Sequence, residues 1–296
     1  MGVFAGIEAG GSKFICGIGS GPGDLISTRI PTTTPSATVA AVAEWIREHA
    51  VQQLTSVGIG AFGPLDLNPA SPSFGHITST PKAAWRNFDI AGEIRKALGV
   101  PVHVPVHIDT DVNAALLGES RWGAAQGLSD CVYLTIGTGI GGAALIAGRL
   151  LRGTGHAEMG HIRIPYDTPH DGKFSGVCPY HGDCLEGLAS GPAIEARWGK
   201  PASELPADHP AWGFEARYLA LALVNLTLTL APERILMGGG VMRHPSLFQA
   251  IRRELKLLLA GYAKEPEIVP PGLGENAGVL GALALCSPEI TGSRKI

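Results

Sequence analysis

The sequence predicts an α/β fold in two domains, and three observations lead to this prediction. Short β-branched runs alternate with Ala/Leu-rich runs of helical periodicity. The chain has 41 glycines and 22 prolines, which separate these runs. Its 296 residues, 45% of them apolar, suffice for two cores. Such alternation is typical of an α/β protein rather than of a β-sandwich or a helical bundle.

The first half is predicted to begin as a β-meander and to continue as strand and helix. The predicted elements are strands at Phe4–Ile7, Phe14–Gly19 and Leu25–Ile30, a helix at Ala37–Ala50 and a strand at Val57–Phe62. A further apolar run, His103–Ile108, leads through Asp109-Thr110-Asp111 into the helical segment Ala114–Glu119.

A second half restarts with a strand at Cys131–Ile136, a glycine-rich turn and the apolar run Ala143–Ala147. Both halves therefore open with a strand pair that carries glycines at its tip, which indicates a weak internal duplication. We place the boundary within Asp111–Gly118, so that the predicted domains are residues 1–117 and 118–296.

The segment Gly153–Gly191 is rich in His, Cys, Gly and Pro and lacks periodicity. It is therefore predicted to be an inserted loop that needs a cross-link of its own for stability. Beyond it, the pattern predicts helices from Pro192 and at Phe214–Leu230, Pro245–Leu259 and Ala277–Leu285, with a buried strand at Arg234–Met237. The apolar stretch Tyr218–Ala231 is shorter than the roughly 20 residues that span a bilayer. We expect a buried helix there and no membrane partner.

Charge and cysteine usage narrow the class of protein. A net charge of -3, with no Lys/Arg-rich block, argues against a nucleic-acid partner. No export signal precedes the first predicted strand, and the five cysteines are an odd number that suits a reduced compartment. We therefore expect a cytoplasmic protein.

The first glycine loop is predicted to bind the phosphates of a nucleotide. Gly6-Ile7-Glu8-Ala9-Gly10-Gly11-Ser12-Lys13 joins two strands through a turn that glycines make tightly. Its backbone N–H groups would form an anion-binding nest, to which Lys13 adds charge. Glu8 would hold the phosphate-bound Mg²⁺ through water. An ordinary hairpin is the alternative.

Two other nucleotide motifs are disfavoured. Ser12 separates Gly11 from Lys13, so no P-loop is present. A second loop, Gly137-Thr138-Gly139-Ile140-Gly141-Gly142, satisfies the dinucleotide pattern, but the run after it is too short for a crossover helix. A nicotinamide-dependent enzyme therefore stays a disfavoured alternative.

Further glycines are expected on the nucleotide side. Gly238, Gly239 and Gly240 follow a strand and would let backbone approach a flat ligand such as adenine, unless they form a plain turn. Gly187 is assigned to the same cofactor-binding set.

The spacing Cys178-x-x-His181-x-x-Cys184 predicts a zinc site, because one more histidine would complete a closed tetrahedral set that staples a loop. His161, His156 and His170 are the candidates for the fourth ligand. A closed site leaves no position for water, so Zn²⁺ would organise the loop rather than perform chemistry. Cys16, Cys131 and Cys286 have apolar neighbours and are predicted to be core residues.

Asp111 is the predicted catalytic carboxylate. It stands where a strand ends and a helix begins, the place where ligands of α/β sheets gather. It would accept a proton from an attacking hydroxyl, as an Asp does in kinases. A helix N-cap is the alternative role.

Taken together, these motifs resemble those of the ROK family of sugar kinases over nearly the whole chain. The family's two phosphate loops match the two glycine loops above, and its Glu-x-Gly-His and Cys-rich signatures match Glu158-Met159-Gly160-His161 and the segment that begins at Cys178. The resemblance is strongest to the bacterial fructokinase branch. Three positions depart from the broad pattern: Glu8 replaces Asp, Ser12 replaces Thr, and Thr110 stands where many glucose-specific members carry Asn.

The resemblance implies an actin/hexokinase-like (ribonuclease H-like) duplicated two-domain fold with an inter-domain cleft and a zinc-stapled loop. It implies that His161 is the fourth zinc ligand and that Glu158, His161 and Glu186 bind the sugar with Asp111, while Gly63 and Asn87 are plausible additions from the first domain. Asn87 would otherwise only end a turn. A homodimer is also implied.

The resulting hypothesis is ATP- and Mg²⁺-dependent phosphorylation of the primary hydroxyl of a hexose, with fructose first and mannose, glucose or an N-acetylhexosamine as alternatives. Relatives that act as sugar-sensing repressors carry a DNA-binding helix-turn-helix before the first loop. Only five residues precede Gly6 here, which disfavours that role. Pocket contacts rather than fold decide which sugar is used.

Overall fold

A computed structural model describes residues 3–50, 54–101, 103–165, 172, 174–287 and 294–295. The chain forms two compact units. The first unit comprises Met1–Gly127, Arg149–His156 and Gly272–Ile296, and the second comprises Leu128–Gly148 and Ala157–Pro271. The division differs from the predicted 117/118 boundary: the first stretch of unit 1 runs ten residues further, to Gly127, and the chain later returns to unit 1 twice.

The elements are numbered in chain order. The strands are β1 (Val3–Ala9), β2 (Lys13–Gly19), β3 (Ile26–Pro31), β4 (Leu54–Ala61), β5 (His76–Ile77), β6 (Phe88–Asp89), β7 (Val106–Thr110), β8 (Cys131–Ile136), β9 (Ile140–Ile146), β10 (Arg149–Leu150), β11 (Arg234–Gly238), β12 (Glu267–Val269) and β13 (Arg294–Lys295). The helices are α1 (Pro35–His49), α2 (Ile90–Leu98), α3 (Asp111–Trp122), α4 (Leu185–Ala189), α5 (Gly191–Trp198), α6 (Ala211–Leu230), α7 (Leu247–Leu259) and α8 (Ala277–Leu285).

The main sheet of the first unit has the strand order β13-β7-β4-β1-β2-β3. β1, β2 and β3 pair antiparallel, whereas β1, β4 and β7 are parallel to one another. The register aligns Ala9 with Ala61 and Ala61 with Thr110. The carboxyl ends of the three parallel strands therefore lie at one edge of the sheet. The first glycine loop follows the end of β1 and Asp111 follows the end of β7, with β4 between them.

Helices α3 and α8 cross at a pair of glycines beside this sheet. An added Cβ on Gly281 would lie 2.0 Å from the Ala114 carbonyl oxygen, and one on Gly118 would lie 2.8 Å from the Gly281 nitrogen. Nearly every side chain of α8 is buried, and a helix that is apolar all round needs a core on every side. This requirement explains why the C-terminal helix belongs to the first unit.

The second unit repeats the opening pattern of the first. β8 and β9 form an antiparallel hairpin, while β8, β11 and β12 are parallel. The predicted duplication is therefore confirmed. β9 follows the second glycine loop directly as an antiparallel strand, so no crossover helix follows that loop, as the dinucleotide alternative would require.

Most predicted elements appear with ends shifted by a few residues, and two helices were missed. The pattern did not predict α2, and α4 lies inside the predicted loop Gly153–Gly191. The stretch Tyr218–Ala231 forms most of α6, which buries Leu223 and Leu226 but leaves Leu228 51% exposed. Within the described residues, no helix has the length and apolar character needed to cross a bilayer.

Candidate active site and metal centre

The first glycine loop is a tight turn between β1 and β2. The Gly10 N–H donates to the Lys13 carbonyl at 3.0 Å, and the Thr32 hydroxyl donates to the Gly10 carbonyl at 2.8 Å. A Cβ on Gly10 would lie 2.6 Å from the Lys13 carbonyl oxygen, so only glycine fits. Ser12 and Lys13 are exposed at the tip, where the loop offers a hydroxyl and an ammonium to an anion.

Glu8 precedes this loop and reaches the first turn of α8. Its carboxylate accepts a hydrogen bond from the Val279 backbone, and an added Cβ on Gly278 would lie 2.2 Å from Glu8 Cδ. Burial and, to a smaller extent, the charge of Asp111 raise the pKa of Glu8 to about 7, while Lys13 opposes the shift. Glu8 Oε2 is buried and has no hydrogen-bond partner among the described residues. A divalent cation would fit this site, because it would satisfy that oxygen and favour ionisation.

Asp111 is the first residue of α3 and not its N-cap. Thr110 is the N-cap, because its hydroxyl accepts the Asn113 N–H at 3.1 Å. Asp111 is half-buried, and its Oδ1 accepts the Val112 N–H at 2.8 Å. The capping alternative considered for Asp111 is therefore wrong, and that role does not account for its carboxylate.

A buried ion pair lies just before Asp111, and the sequence analysis missed it. Asp109 is fully buried, and its Oδ1 accepts the Thr110 N–H at 2.9 Å and the Asn113 side-chain amide at 2.7 Å. Arg152 donates to its Oδ2. A charged residue at the end of a buried strand was the available signal, because such a carboxylate needs a partner.

Gly63 and Asn87 were the two first-domain candidates for the sugar. Gly63 follows β4 and precedes Pro64 through a cis peptide bond. Close by, the Leu65 N–H donates to His156 Nε2 at 3.1 Å. Asn87 is exposed, has a φ of 56° and donates its backbone N–H to Thr78, which is the geometry of a turn. The turn role, its alternative, accounts for Asn87 without a ligand.

The second glycine loop lies between β8 and β9 and is braced by the starts of α4 and α5. The Gly137 N–H donates to the Gly139 carbonyl at 2.9 Å, and the Gly191 N–H donates to the Gly137 carbonyl at 2.8 Å. Glu186 Oε2 accepts the Ile140 N–H at 2.9 Å. Thr138 is exposed at the tip, so the loop presents a hydroxyl on a rigid backbone.

The third glycine cluster begins at the last residue of β11 in the second unit. Gly238 pairs with Thr135 near the end of β8, and Gly240 precedes a short 3₁₀-helix, Val241–Arg243. Gly239 has a φ of 95°, and a Cβ there would lie 2.2 Å from the Ile136 carbonyl oxygen. This close approach holds the cluster beside the start of the second loop. Gly187 packs elsewhere, because its Cβ would lie 1.8 Å from the Gly182 carbonyl oxygen.

Four side chains of the predicted zinc site come together in the second unit. The ligand atoms of His161, Cys178, His181 and Cys184 all lie within 4.8 Å of one another. Cys178 Sγ is 3.7 Å from the Nδ1 atoms of both histidines, and His161 Nδ1 is 3.5 Å from Cys184 Sγ. Tetrahedral zinc with bonds of about 2.3 Å to sulfur and about 2.0–2.1 Å to nitrogen separates such ligands by about 3.6 Å. The donor set fits zinc.

Of the other two histidine candidates, the structure describes only His156, which is not part of this cluster. His156 accepts the Leu65 N–H in the first unit, and His170 lies outside the described residues. Burial raises the pKa of Cys184 to about 11, so its thiolate needs a cation at neutral pH. Cys16, Cys131 and Cys286 are buried core residues, as predicted.

The segment that contains Glu158 and His161 packs against the start of β9. A Cβ on Gly160 would lie 1.8 Å from the Ile140 carbonyl oxygen. Glu158 is exposed and begins a 3₁₀-helix in which the His161 N–H donates to the Glu158 carbonyl at 3.0 Å. Because Glu186 also binds Ile140, three predicted sugar residues and the second glycine loop are assembled within one unit.

Two sequence relatives and one solved structure are similar to this chain over almost its full length. The fructokinase of Pediococcus pentosaceus is 42% identical over 290 residues, covering 96% of this chain and 97% of that protein. The fructokinase of Zymomonas mobilis is 43% identical over 293 residues, covering 96% of each. A ROK family glucokinase from Streptomyces griseus, solved in complex with glucose and AMPPNP, superposes with a TM-score of 0.75 at 26% identity and covers 96% of this chain and 99% of that one.

The fold is therefore the actin-like two-domain α/β architecture of ROK sugar kinases. The model of the ROK family matches residues 4–289, which is almost the full length. This chain belongs to the ROK family.

Proposed function

We propose that this protein is an ATP-dependent fructokinase that transfers a phosphoryl group to the primary hydroxyl of D-fructose. One observation carries the proposal: the first glycine loop and Asp111 follow the carboxyl ends of β1 and β7 at one edge of the sheet, one strand apart, and the charge of Asp111 acts on Glu8. A phosphate-binding turn next to a base is the arrangement that phosphoryl transfer requires. The relatives at 42–43% identity named fructokinase support the same reaction and the choice of fructose.

In this proposal Asp111 accepts the proton of the attacking sugar hydroxyl. Asp111 is the half-buried first residue of α3, and because Thr110 is the cap, the Asp111 carboxylate is not needed for capping. Lys13 and the N–H groups of the glycine loops bind and orient the phosphates, so catalysis is mostly positioning and charge stabilisation. Bound Mg²⁺ would be held through Glu8 and supplies charge neutralisation on the transferred phosphoryl group.

The sugar is expected to pair its hydroxyls with Glu158, His161 and Glu186. Each buried polar group left unpaired costs about 1–3 kcal/mol, which is how such a pocket discriminates between hexoses. Gly63 and Asn87 stay weaker candidates for this role. Mannose, glucose and N-acetylhexosamines are the alternative substrates.

Structural Zn²⁺ is part of the proposal, with His161, Cys178, His181 and Cys184 as ligands. The ligand distances of 3.5 and 3.7 Å support this set. Four protein ligands leave no open position for a substrate or water, so the metal would hold the loop between Glu158 and Glu186 in place. A homodimer stays a prediction from the family resemblance. A cytoplasmic location stays a prediction from the odd number of cysteines.

A coupled ADP-release assay with Mg²⁺-ATP tests the proposal across fructose, mannose, glucose and N-acetylhexosamines. We expect the highest kcat/KM with fructose. A preference for another hexose would keep the kinase mechanism and change the substrate. Folded, zinc-loaded protein that releases no ADP with any sugar would contradict the kinase and favour a sensor. A nicotinamide-dependent enzyme is the remaining alternative. A melting temperature that rises with AMPPNP but not with NADH would exclude it.

A further inference from the structure

The buried ion pair between Asp109 and Arg152 lies next to the proposed base and has no role in the mechanism above. Asp109 is fully buried, while the side chain of Arg152 is 19% exposed. The two residues are 43 positions apart in the sequence. They belong to the first unit together with Asp111, so their contact is internal to that unit.

The pair completes a network that holds the turn between β7 and α3. Both oxygens of Asp109 are used, one by the Thr110 N–H and the Asn113 amide and the other by Arg152. Asn113 also donates its backbone N–H to the Thr110 hydroxyl. Asp111 lies inside this network, between the capping residue and the residue that it caps. The position of its carboxylate therefore depends on where Asp109 is held.

A buried ion pair is a weak source of stability, because desolvation of both charges offsets their attraction. What such a pair supplies is a defined geometry, and Arg offers a planar set of donors for it. Geometry matters here, because a displacement of about 1 Å at a reacting group lowers turnover by about 10²-fold.

The segment that carries Arg152 is itself held at a second point. His156, four residues later, accepts the Leu65 N–H at 3.1 Å. Leu65 follows the cis Gly63-Pro64 bond at the end of β4, which neighbours β7. The segment Arg149–His156 is therefore attached to two adjacent strand ends, and Arg152 is the attachment that bears charge.

We propose that Arg152 is a positioning residue for phosphoryl transfer, which acts through Asp109 to hold Asp111 in place. The inference rests on the proposed function, since it needs a reaction in which Asp111 takes part. Arg152 itself touches neither the sugar nor the nucleotide in this role. Its removal should lower kcat while the KM for ATP stays nearly constant.

The test compares Arg152→Ala and Arg152→Lys with Arg149→Ala, which removes an exposed cation from the same segment. We expect Arg152→Ala to lower kcat on fructose by about 10²-fold with the KM for ATP within about twofold. Lys should restore part of the loss, because a single donor reaches Asp109 Oδ2. Arg149→Ala should match the wild type. A kcat within twofold of wild type in folded Arg152→Ala would overturn the inference.

A variant in which the pair is neutral separates a loss of positioning from a loss of folding. Asp109→Asn with Arg152→Gln removes both buried charges, so the fold should recover even if Arg152→Ala is unstable. A positioning role predicts that this double variant is folded by circular dichroism but still slow. Wild-type kcat in it would assign the pair to stability alone and overturn the inference. Wild-type protein that turns over no sugar would instead contradict the proposed function, and with it this inference.

Discussion

At the scale of single residues, the junction between β7 and α3 gives adjacent side chains different tasks. Thr110 caps the helix, Asp109 is buried in an ion pair, and Asp111 is only half-buried. Sequence position alone did not separate these roles, since Asp and Thr both cap helices well. Which hydroxyl or carboxylate meets the Asn113 N–H is decided by backbone geometry at the strand end.

Asp111→Asn should abolish base catalysis and leave binding in place. The amide is nearly the same size but is not basic, so we expect kcat to fall by about 10²–10⁴-fold. Calorimetric titration should still show binding of ATP analogue and sugar. Glu48→Gln, which changes an exposed carboxylate on α1, is the control and should keep wild-type turnover. Near-normal turnover of Asp111→Asn would remove it from the base role.

Glu215 should make stability depend on pH. It is buried on α6, and burial raises its pKa well above the usual 4.5, with Arg197 opposing only in part. The folded state then holds the proton to higher pH than the unfolded chain does. The free energy of unfolding should therefore fall as pH rises above about 4.5 towards the folded pKa.

Glu215→Gln, neutral at every pH, should flatten this dependence in urea unfolding followed between pH 5 and pH 8. Glu195→Gln, an exposed change on α5, should retain the wild-type slope. An unchanged slope in Glu215→Gln would show that the dependence arises from other groups.

At the scale of elements, the Cys/His cluster of the proposed zinc site links segments that have little secondary structure. His161 belongs to the turn before Ile162, whereas Cys178, His181 and Cys184 precede α4. The three nearby ligands were evident from spacing, because they lie within seven residues. The fourth depended on packing, since the contact of Gly160 with Ile140 carries His161 to the cluster.

Cys184→Ser and His161→Ala should each lose stoichiometric zinc, measured by elemental analysis of purified protein. Removing one of four ligands opens the site and weakens the staple, so a lower melting temperature is expected as well. Cys131→Ala and His156→Ala are matched controls outside the cluster and should retain one zinc per chain. Full metal content in Cys184→Ser would refute the ligand assignment.

The crossing of α3 and α8 depends on glycine. Gly281→Ala would place a methyl group 2.0 Å from the Ala114 carbonyl oxygen, and neither backbone can give way easily. We expect the free energy of unfolding to fall by about 1–3 kcal/mol.

Gly213→Ala is the matched control, because it lies in α6 with nothing within 4 Å of the added methyl. Alanine has the higher helix propensity, so urea unfolding should show a gain of up to about 1 kcal/mol. If Gly281→Ala and Gly213→Ala changed the free energy of unfolding equally, the close packing of α3 on α8 would be contradicted.

At the scale of the whole molecule, the first unit is completed by the end of the chain. α8 packs on β1 and β4, where a Cβ on Gly6 or Gly58 would collide with Leu283 or Ala282. Glu119 reinforces the return, since its carboxylate accepts the N–H groups of Gly272 and Leu273 at 2.9 Å each. The first unit therefore has no complete core until α8 is in place.

A chain that ends at Pro271 should fail to fold its first unit. It lacks α8, so apolar residues of β1, β4 and α3 would be exposed to water. Circular dichroism and a loss of cooperative thermal unfolding would report this. Truncation after Ser287 retains α8 and should stay cooperative. A cooperative transition in the shorter chain would contradict the role given to α8.

The sequence by itself determined the features whose chemistry is local. The two glycine-tipped hairpins, the Cys-x-x-His-x-x-Cys spacing and the α/β alternation depend on turn geometry and short spacing, so they could be predicted. The tertiary structure alone decided two contacts between distant segments: Asp109 with Arg152, and α8 with the first sheet. His161 was expected at the cysteines only from the family resemblance, because the spacing left three histidines open, and the structure brings it there. Burial creates these contacts, because a charge or an apolar helix removed from water needs a partner whose place in the sequence no local pattern specifies.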